Sequence, residues 1–251
     1  MNSKLKILGV IPSRYASSRF PGKPLVDIHG KSMIQRVYEQ AIKAKWLHNV
    51  VVATDDERIL NAVNSFGGKA VFTSSQHQSG TDRCAEVLSN INENYDAVVN
   101  IQGDEPFIAP EQIDLLCSAF ENEKTEIATL IKKIENVTDL HNPNRIKVVI
   151  NNKGDALYFS RQAIPFQLNI PKEQWLNHYT YYKHIGIYAY RSQLLKSITQ
   201  LPLSKLEKCE SLEQLRWLEN GYSICVKETM IESLNIDTPE DLALILKNTS
   251  L

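Results

Sequence analysis

The chain has no apolar run approaching the roughly 18 residues of a membrane-spanning helix. Its opening residues, MNSKLKILGVIPSR, carry neither a long apolar segment nor a small-residue cleavage site. No membrane partner is therefore expected, and the reading is a cytoplasmic protein. Cysteine is sparse: Cys84, Cys117, Cys209 and Cys225 are scattered, without a C-x-x-C pair, which argues for reduced structural thiols rather than a disulfide framework or a zinc site. An excess of charge is missing too. Lys plus Arg number 28 against 29 Asp plus Glu, so no global basic field invites nucleic acid, and cations that matter must be locally concentrated. Neither familiar glycine-rich phosphate loop is present. Gly22-Lys23 has Ser17 where a Walker A loop needs its first glycine and Pro24 where it needs Ser or Thr, and a dinucleotide G-x-G-x-x-G has only Gly22 and Gly30 to draw on.

What is present is a chain of 251 residues, 43% hydrophobic and 23% charged, ample for one large core. Apolar runs rich in β-branched residues alternate with segments of helical period, the mark of a parallel sheet wrapped by crossover helices. Strands are expected at Lys6–Ile11, Asn49–Asp55, the KAVFT segment and DAVVNIQ. Helices are expected after Ser32 as N-cap, from Glu57 to the Gly67-Gly68 stop, behind Thr81 as N-cap, and from Pro110. The second half changes character. IKVVINNKGDALYFSR has two strand-like runs around Asn152-Lys153-Gly154, a hairpin signal. A strand over His184–Arg191, one helix through LEKCESLEQLRWLENG ended by Gly221, a strand SICVKE and a helix capped near Thr238 complete it. The expectation is one doubly wound, mostly parallel α/β domain over residues 1–251, with a smaller hairpin-containing insertion at about 140–200 serving substrate binding or dimerisation.

The stretch IPSRYASSRFPGKPL, residues 11 to 25, follows the first strand with three cations, Arg14, Arg19 and Lys23, and three prolines. It lies at the carboxyl edge of the sheet, where open α/β folds bind ligands, and the prolines lower its ordering cost. The residues alone allow two readings: an anion-binding loop, or a solvated loop whose cations keep it soluble.

Seven strings in order along the whole chain carry a resemblance: IPSRYASSRFPGKPL, HQSGTDR, NIQGDEP, ALYFSR, YKHIGIYAYR, LEQLRWLENG and IDTPEDL. Together they resemble the 3-deoxy-manno-octulosonate cytidylyltransferases, or CMP-KDO synthetases. The resemblance implies a nucleotide-diphospho-sugar transferase-like fold and the reaction of CTP with KDO to CMP-KDO and pyrophosphate, for bacterial lipopolysaccharide synthesis. It also implies Mg2+ and a homodimer. Where this loop has Ser13 and Phe20, alanine and leucine are also familiar in the family, a conservative departure.

Carried over residue by residue, the motifs give Arg14, Lys23 and Asp104 as catalytic, and Asp104 and Asp237 as metal ligands. The reaction is largely in-line positioning and neutralisation of phosphate charge, a task for cations and a hard divalent ion. Without the resemblance, Asp104 reads as a turn residue and Asp237 as a helix cap. Pro12, Ser13, Arg14, Arg19, Lys23, Ser79, Gly80, Thr81, Arg83 and Gln102 are implied to hold the nucleotide. Arg161, His184, Tyr188, Glu213 and Gln214 are implied to hold the sugar acid; the alternative for His184 is a satisfied strand histidine and for Tyr188 core packing. Two alternatives stay open: a CMP synthetase for another sugar acid (8-amino-KDO or sialic acid), and a noncatalytic nucleotide- or RNA-binding module.

Overall fold

In a computed structural model, the residues described are 5–16, 20–232, 235–236 and 238–248. The first strand, β1 (Ile7–Ser13), is apolar at almost every position because both its faces are covered. Ile7 and Ile11 face a core shared with helices α1 (Met33–Ala41), α2 (Glu57–Ser65) and, further on, Pro110–Cys117, whereas Leu8 and Val10 face a second core on the other side of the sheet.

After β1 the chain closes a loop by the Gly22 N–H donating to Tyr15 O at 3.0 Å, with Gly22 left-handed at φ 73°. The ribbon β2 (Asp27–Ile28) and β3 (Lys31–Ser32) turns through His29 and Gly30, both at positive φ, as a two-residue hairpin requires. Ser32 then caps α1, accepting from the Gln35 N–H. β4 (Leu47–Thr54) and β5 (Ala70–Phe72) add parallel to the edge beyond β1, and β6 (Ala97–Asn100) pairs parallel on its other side. Helices α3 (Gly80–Asn90) and α4 (Pro110–Cys117) take opposite faces of this sheet.

β7 (Ile127–Lys133), after which comes α5 (Val137–His141), and the hairpin of β8 (Lys147–Ile150) and β9 (Ala156–Ser160) lead through α6 (Trp175–His178) into β10 (Tyr182–Arg191). This long strand runs antiparallel between β6 and β7, and β11 (Ile224–Glu228) closes the far edge parallel to β7. The order is β11-β7-β10-β6-β1-β4-β5, with the hairpin joined to β10. Mostly parallel pairing is thus realised in the first half, with one antiparallel strand in the middle; the hairpin is an extension of the same sheet.

The split in β10's partners creates the main feature of the molecule. Tyr188–Arg191 pair with β6, and Tyr182 and Lys183 pair with β8 on the same side, so residues 184–187 have no strand in register there. A β-bulge at Gly186 and Ile187 falls in this gap. Sheets lose a ladder at such a point and open a cleft.

Two helical expectations change. α3 starts at Gly80 with Ser79 as N-cap: the Ser79 hydroxyl accepts from the Asp82 N–H and the Asp82 carboxylate accepts from the Ser79 N–H, a reciprocal box that Thr81, two residues further on and already helical, cannot make. α7 (Ser192–Thr199) is followed by two helices where one was expected, α8 (Lys205–Glu210) and α9 (Gln214–Glu219), broken at Ser211 in the left-handed region at φ 52°. α10 (Pro239–Asn248) has Thr238 as its cap, accepting from the Asp241 N–H. All four cysteines are free.

Lys147 is fully buried at the base of the hairpin, where its ammonium donates to the carbonyls of Asn142 and Arg145 and to that of Arg161. Burial lowers its pKa to about 8 from an ordinary 10.5. The unfolded chain therefore binds more protons than the folded one between these values, and this group's contribution to stability rises with pH across that window. Urea unfolding at pH 7.5 and pH 10 should show wild type gaining stability relative to Lys147→Met on going up; a parallel pair of curves would contradict this.

Candidate active site

The cleft has two communicating lobes that share Pro12, Ser79, Gly80, Gln102 and Asp104. The smaller, about 260 Å³, lies over the carboxyl ends of β1 and β6 and is lined by Ser13, Arg14, Lys23, Gln78 and Arg83. The larger, about 540 Å³, occupies the gap along β10 and is lined by Lys183, His184, Tyr188, Glu213 and Gln214, with Arg145 at its rim. Close approach of backbones shapes the junction between them. A Cβ added to Gly103 would stand 2.8 Å from Pro12 O, so only glycine fits there.

At the floor of the smaller lobe, Lys23 donates to Asp104 Oδ2 at 2.8 Å and to Ile236 O at 2.9 Å. The Ile236 N–H in turn donates to Asp104 O at 3.0 Å. Three segments remote in sequence meet at this lysine: the loop after β1, the turn after β6 and the stretch leading to α10. Asp237 and Arg19 lie outside the described residues.

Arg14 is exposed on the wall of this lobe. Arg83, by contrast, is buried, with its guanidinium donating to Asp55 Oδ2 and Thr73 Oγ1, both at 2.7 Å. It fixes α3 against the end of β4, so what it offers the lobe is the placement of α3. That matters because the N-terminus of α3, at Ser79 and Gly80, projects its positive end into both lobes.

In the larger lobe, burial holds His184 neutral, with a pKa lowered to about 3. Its Nε2 lies 2.9 Å from Thr129 Oγ1, which itself donates to Ile187 O at 2.7 Å. The threonine's one proton being committed, Nε2 carries the histidine's hydrogen and Nδ1 is left as an acceptor. Glu213 and Gln214 enter the wall because the helix breaks at Ser211 and restarts there. Thr81 donates to Glu213 Oε2 at 3.0 Å, and burial raises the pKa of that carboxyl.

Two described candidates line neither lobe: Thr81, buried with its hydroxyl on Glu213, and Arg161. Arg161 turns its guanidinium onto the carbonyls of Glu210 (2.6 Å), Pro143 (3.2 Å) and Ser211 (3.4 Å), and lines neither lobe. Its own N–H also bonds Glu210. Arg161 holds the end of β9 against the α8–α9 break.

Other residues in the walls were not singled out from the sequence: Asn100, Glu105, Asn144, Arg145 and Lys183. Asn100 and Glu105 flank Gln102 and Asp104 in the NIQGDEP string, and that adjacency was the available signal. Among the described residues, Ser13 Oγ, Asn100 Oδ1 and Glu105 Oε2 are buried without a hydrogen-bond partner, and all three residues line the cleft. Unpaired polar atoms cost stability, and their clustering in one cleft indicates groups kept for a ligand.

A cytidylyltransferase family pattern matches residues 8–230. The chain belongs to the cytidylyltransferase family. It is 58% identical over 242 residues to the 3-deoxy-manno-octulosonate cytidylyltransferase of Parabacteroides distasonis, covering 95% of this chain and 96% of that one. It is equally 58% identical over 241 residues to the enzyme of the same name from Bacteroides thetaiotaomicron, with the same coverage. A solved structure of CMP:2-keto-3-deoxy-manno-octonic acid synthetase complexed with CTP superposes with a TM-score of 0.89 at 43% identity, over 96% of this chain and 97% of that one. A Leptospira borgpetersenii cytidylyltransferase, 17% identical with a TM-score of 0.63 over 98% of this chain and 89% of that one, shares the fold.

Among cytidylyltransferase residues here, Glu105 has the pH signature easiest to measure. Burial, with the Asp104 charge adding to it, raises its pKa to about 7 from 4.5. The folded chain then binds more protons than the unfolded one in that window, so the stability it contributes is complete below pH 4.5 and is lost as pH rises through 7. Glu105→Gln should therefore be more stable relative to wild type at pH 8 than at pH 5, as read by thermal unfolding. An unchanged difference would mean the carboxyl is not held neutral.

Proposed function

We propose that this protein transfers a cytidylyl group from CTP to 3-deoxy-manno-octulosonate, giving CMP-KDO and pyrophosphate for lipopolysaccharide synthesis. The observation that carries the reading is the two-lobed cleft: a cation-lined lobe at the strand ends, joined to a polar lobe large enough for a sugar acid. Its support is the near full-length identity to enzymes of that name.

The acceptor's anomeric hydroxyl attacks the α-phosphorus and pyrophosphate leaves, so the protein's work is alignment and charge stabilisation. Arg14 and Lys23, with Arg19 from the same loop, take the phosphates, and the N-terminus of α3 adds its dipole. Gln102 and Ser79 would fix the base and ribose by polar groups, alongside Pro12, Ser13 and Gly80 backbone, with Thr81 acting from behind the wall through Glu213. His184, through its free Nδ1, together with Glu213 and Gln214 supplies acceptors and donors for the sugar's hydroxyls, and Tyr188 forms the wall behind them.

Asp104 suits a hard cation. Its surroundings are oxygen, its own carboxylate and the Ile236 carbonyl bridged by the Lys23 ammonium, and among the described residues no group of three metal-binding side chains forms a closed cage. That is the donor set of a magnesium ion that takes one or two carboxylates and completes itself with phosphate and water. Asp104 and Asp237 would hold it, and when bound it would neutralise phosphate charge. Lys23 serves as the cation on Asp104 otherwise, which keeps a part-buried carboxylate from standing uncompensated.

We place the protein in the cytoplasm, where CTP is made, and as a homodimer. Support for the dimer is the exposed Leu157, Phe166 and Leu168 on the segment that carries the hairpin. A sialic acid or 8-amino-KDO specificity would leave the nucleotide lobe unchanged and is tested by substrate profile.

The decisive experiment is pyrophosphate release with CTP, KDO and Mg2+; none would leave a nucleotide-binding module standing. Asp104→Asn should lower kcat by at least about 100-fold with the fold retained by circular dichroism, an effect comparable to losing one preorganised electrostatic group. Near-normal rates at saturating Mg2+ would remove the metal assignment.

A further inference from the structure

We propose that Lys183 is the specificity-determining residue that takes the carboxylate of the acceptor, in exchange for the carboxylate of Glu232. This rests on the reading of the larger lobe as the sugar-acid site. A sugar acid brings one full negative charge into that lobe, and a carboxylate taken from water needs a cation and donors in return. Elimination narrows the source. Arg161 is turned away onto three carbonyls, and His184 is neutral by burial. Arg145 is at the rim, 3.8 Å from Asp139. Lys23 serves the other lobe. Lys183, 5% exposed and next to His184 in β10, is the buried cation among the described residues that line this lobe.

Its present partners make an exchange feasible. The ammonium donates to Glu232 Oε1 at 2.6 Å and stands 3.6 Å from Asp139 Oδ2. Glu232 is 43% exposed at its side chain, and its other oxygen is 3.8 Å from Lys132 Nζ. On releasing Lys183, Glu232 keeps water and a second cation, Lys132, whereas the buried Lys183 keeps only Asp139 at 3.6 Å, beyond hydrogen-bond distance. The lysine is thus the member of the pair that requires an anion, and the glutamate the one that can leave. A neutral or cationic acceptor would leave the pair intact and gain nothing from it, which gives selectivity for acids.

The test is steady-state kinetics of the full chain with KDO and with its C1 carboxamide. Lys183→Met should raise KM for KDO by about tenfold or more, leave KM for CTP within about twofold, and abolish the preference for acid over amide, because the variant and the amide remove the same interaction. Lys183→Arg should restore the preference in part. Glu232→Gln should hold or lower KM for KDO. Lys183→Met that still prefers the acid as strongly as wild type would overturn the inference, as would an equal rise in both KM values, the signature of a merely structural strap. Wild type inert toward KDO but active with another acceptor would overturn the reading of the lobe and this inference with it.

Discussion

Lys23 is the hinge of the arrangement. One ammonium binds a carboxylate from the turn after β6 and a carbonyl from the segment before α10, and so joins the loop after β1 to residues 81 and 213 positions away. No single segment could build that junction from its own sequence. The parallel pairing of β1 with β6 is what makes it possible, since it brings both strand ends to the same edge of the sheet. Charge then does the rest: a part-buried aspartate at the end of β6 needs a cation, and the first loop provides one.

The second constraint is topological. β10 is flanked by β6 over one half and by β8 over the other, and the interval between is where the sheet has no ladder. Over the same residues a bulge interrupts the ladder on the other side, to β7, and there Thr129 bonds the Ile185 and Ile187 carbonyls. The same hydroxyl orients His184. A structural repair of the ladder therefore also fixes the protonation and direction of a residue in the cleft wall, and the cost of neutral His184 is borne by packing against Phe159 and Tyr188.

Legibility followed the range of the interactions. β1, its loop, the hairpin turn at Asn152-Lys153-Gly154 and the Ser32 cap are specified within a few residues, and they are where the sequence puts them. The antiparallel β10 between β6 and β7 is not, because apolar alternation carries no direction. The break at Ser211 was hidden for a similar reason: LEKCESLEQLRWLENG has continuous helical period, and only the tertiary demand that Glu213 and Gln214 face the cleft, with Arg161 and Ser160 holding Glu210, favours a left-handed serine there. Arg161 shows the converse. A motif placed it among binding residues, yet two carbonyls at that same break, Glu210 and Ser211, and that of Pro143 claim its guanidinium.

Lys183 and Lys23 then express one rule at two places. Each is a cation in a cleft wall, Lys183 buried and Lys23 part-buried, each is satisfied by a carboxylate from a distant segment, and each also meets the end of the chain, Lys183 at Glu232 and Lys23 at the Ile236 carbonyl. A cleft that must receive two anions, a polyphosphate and a sugar acid, cannot leave its cations bare, since an uncompensated buried charge costs several kcal/mol by order of magnitude. Nor can it bury them in pairs too strong to part. Glu232 meets this demand by staying half-exposed, and Asp104 meets it by staying part-buried at the strand end.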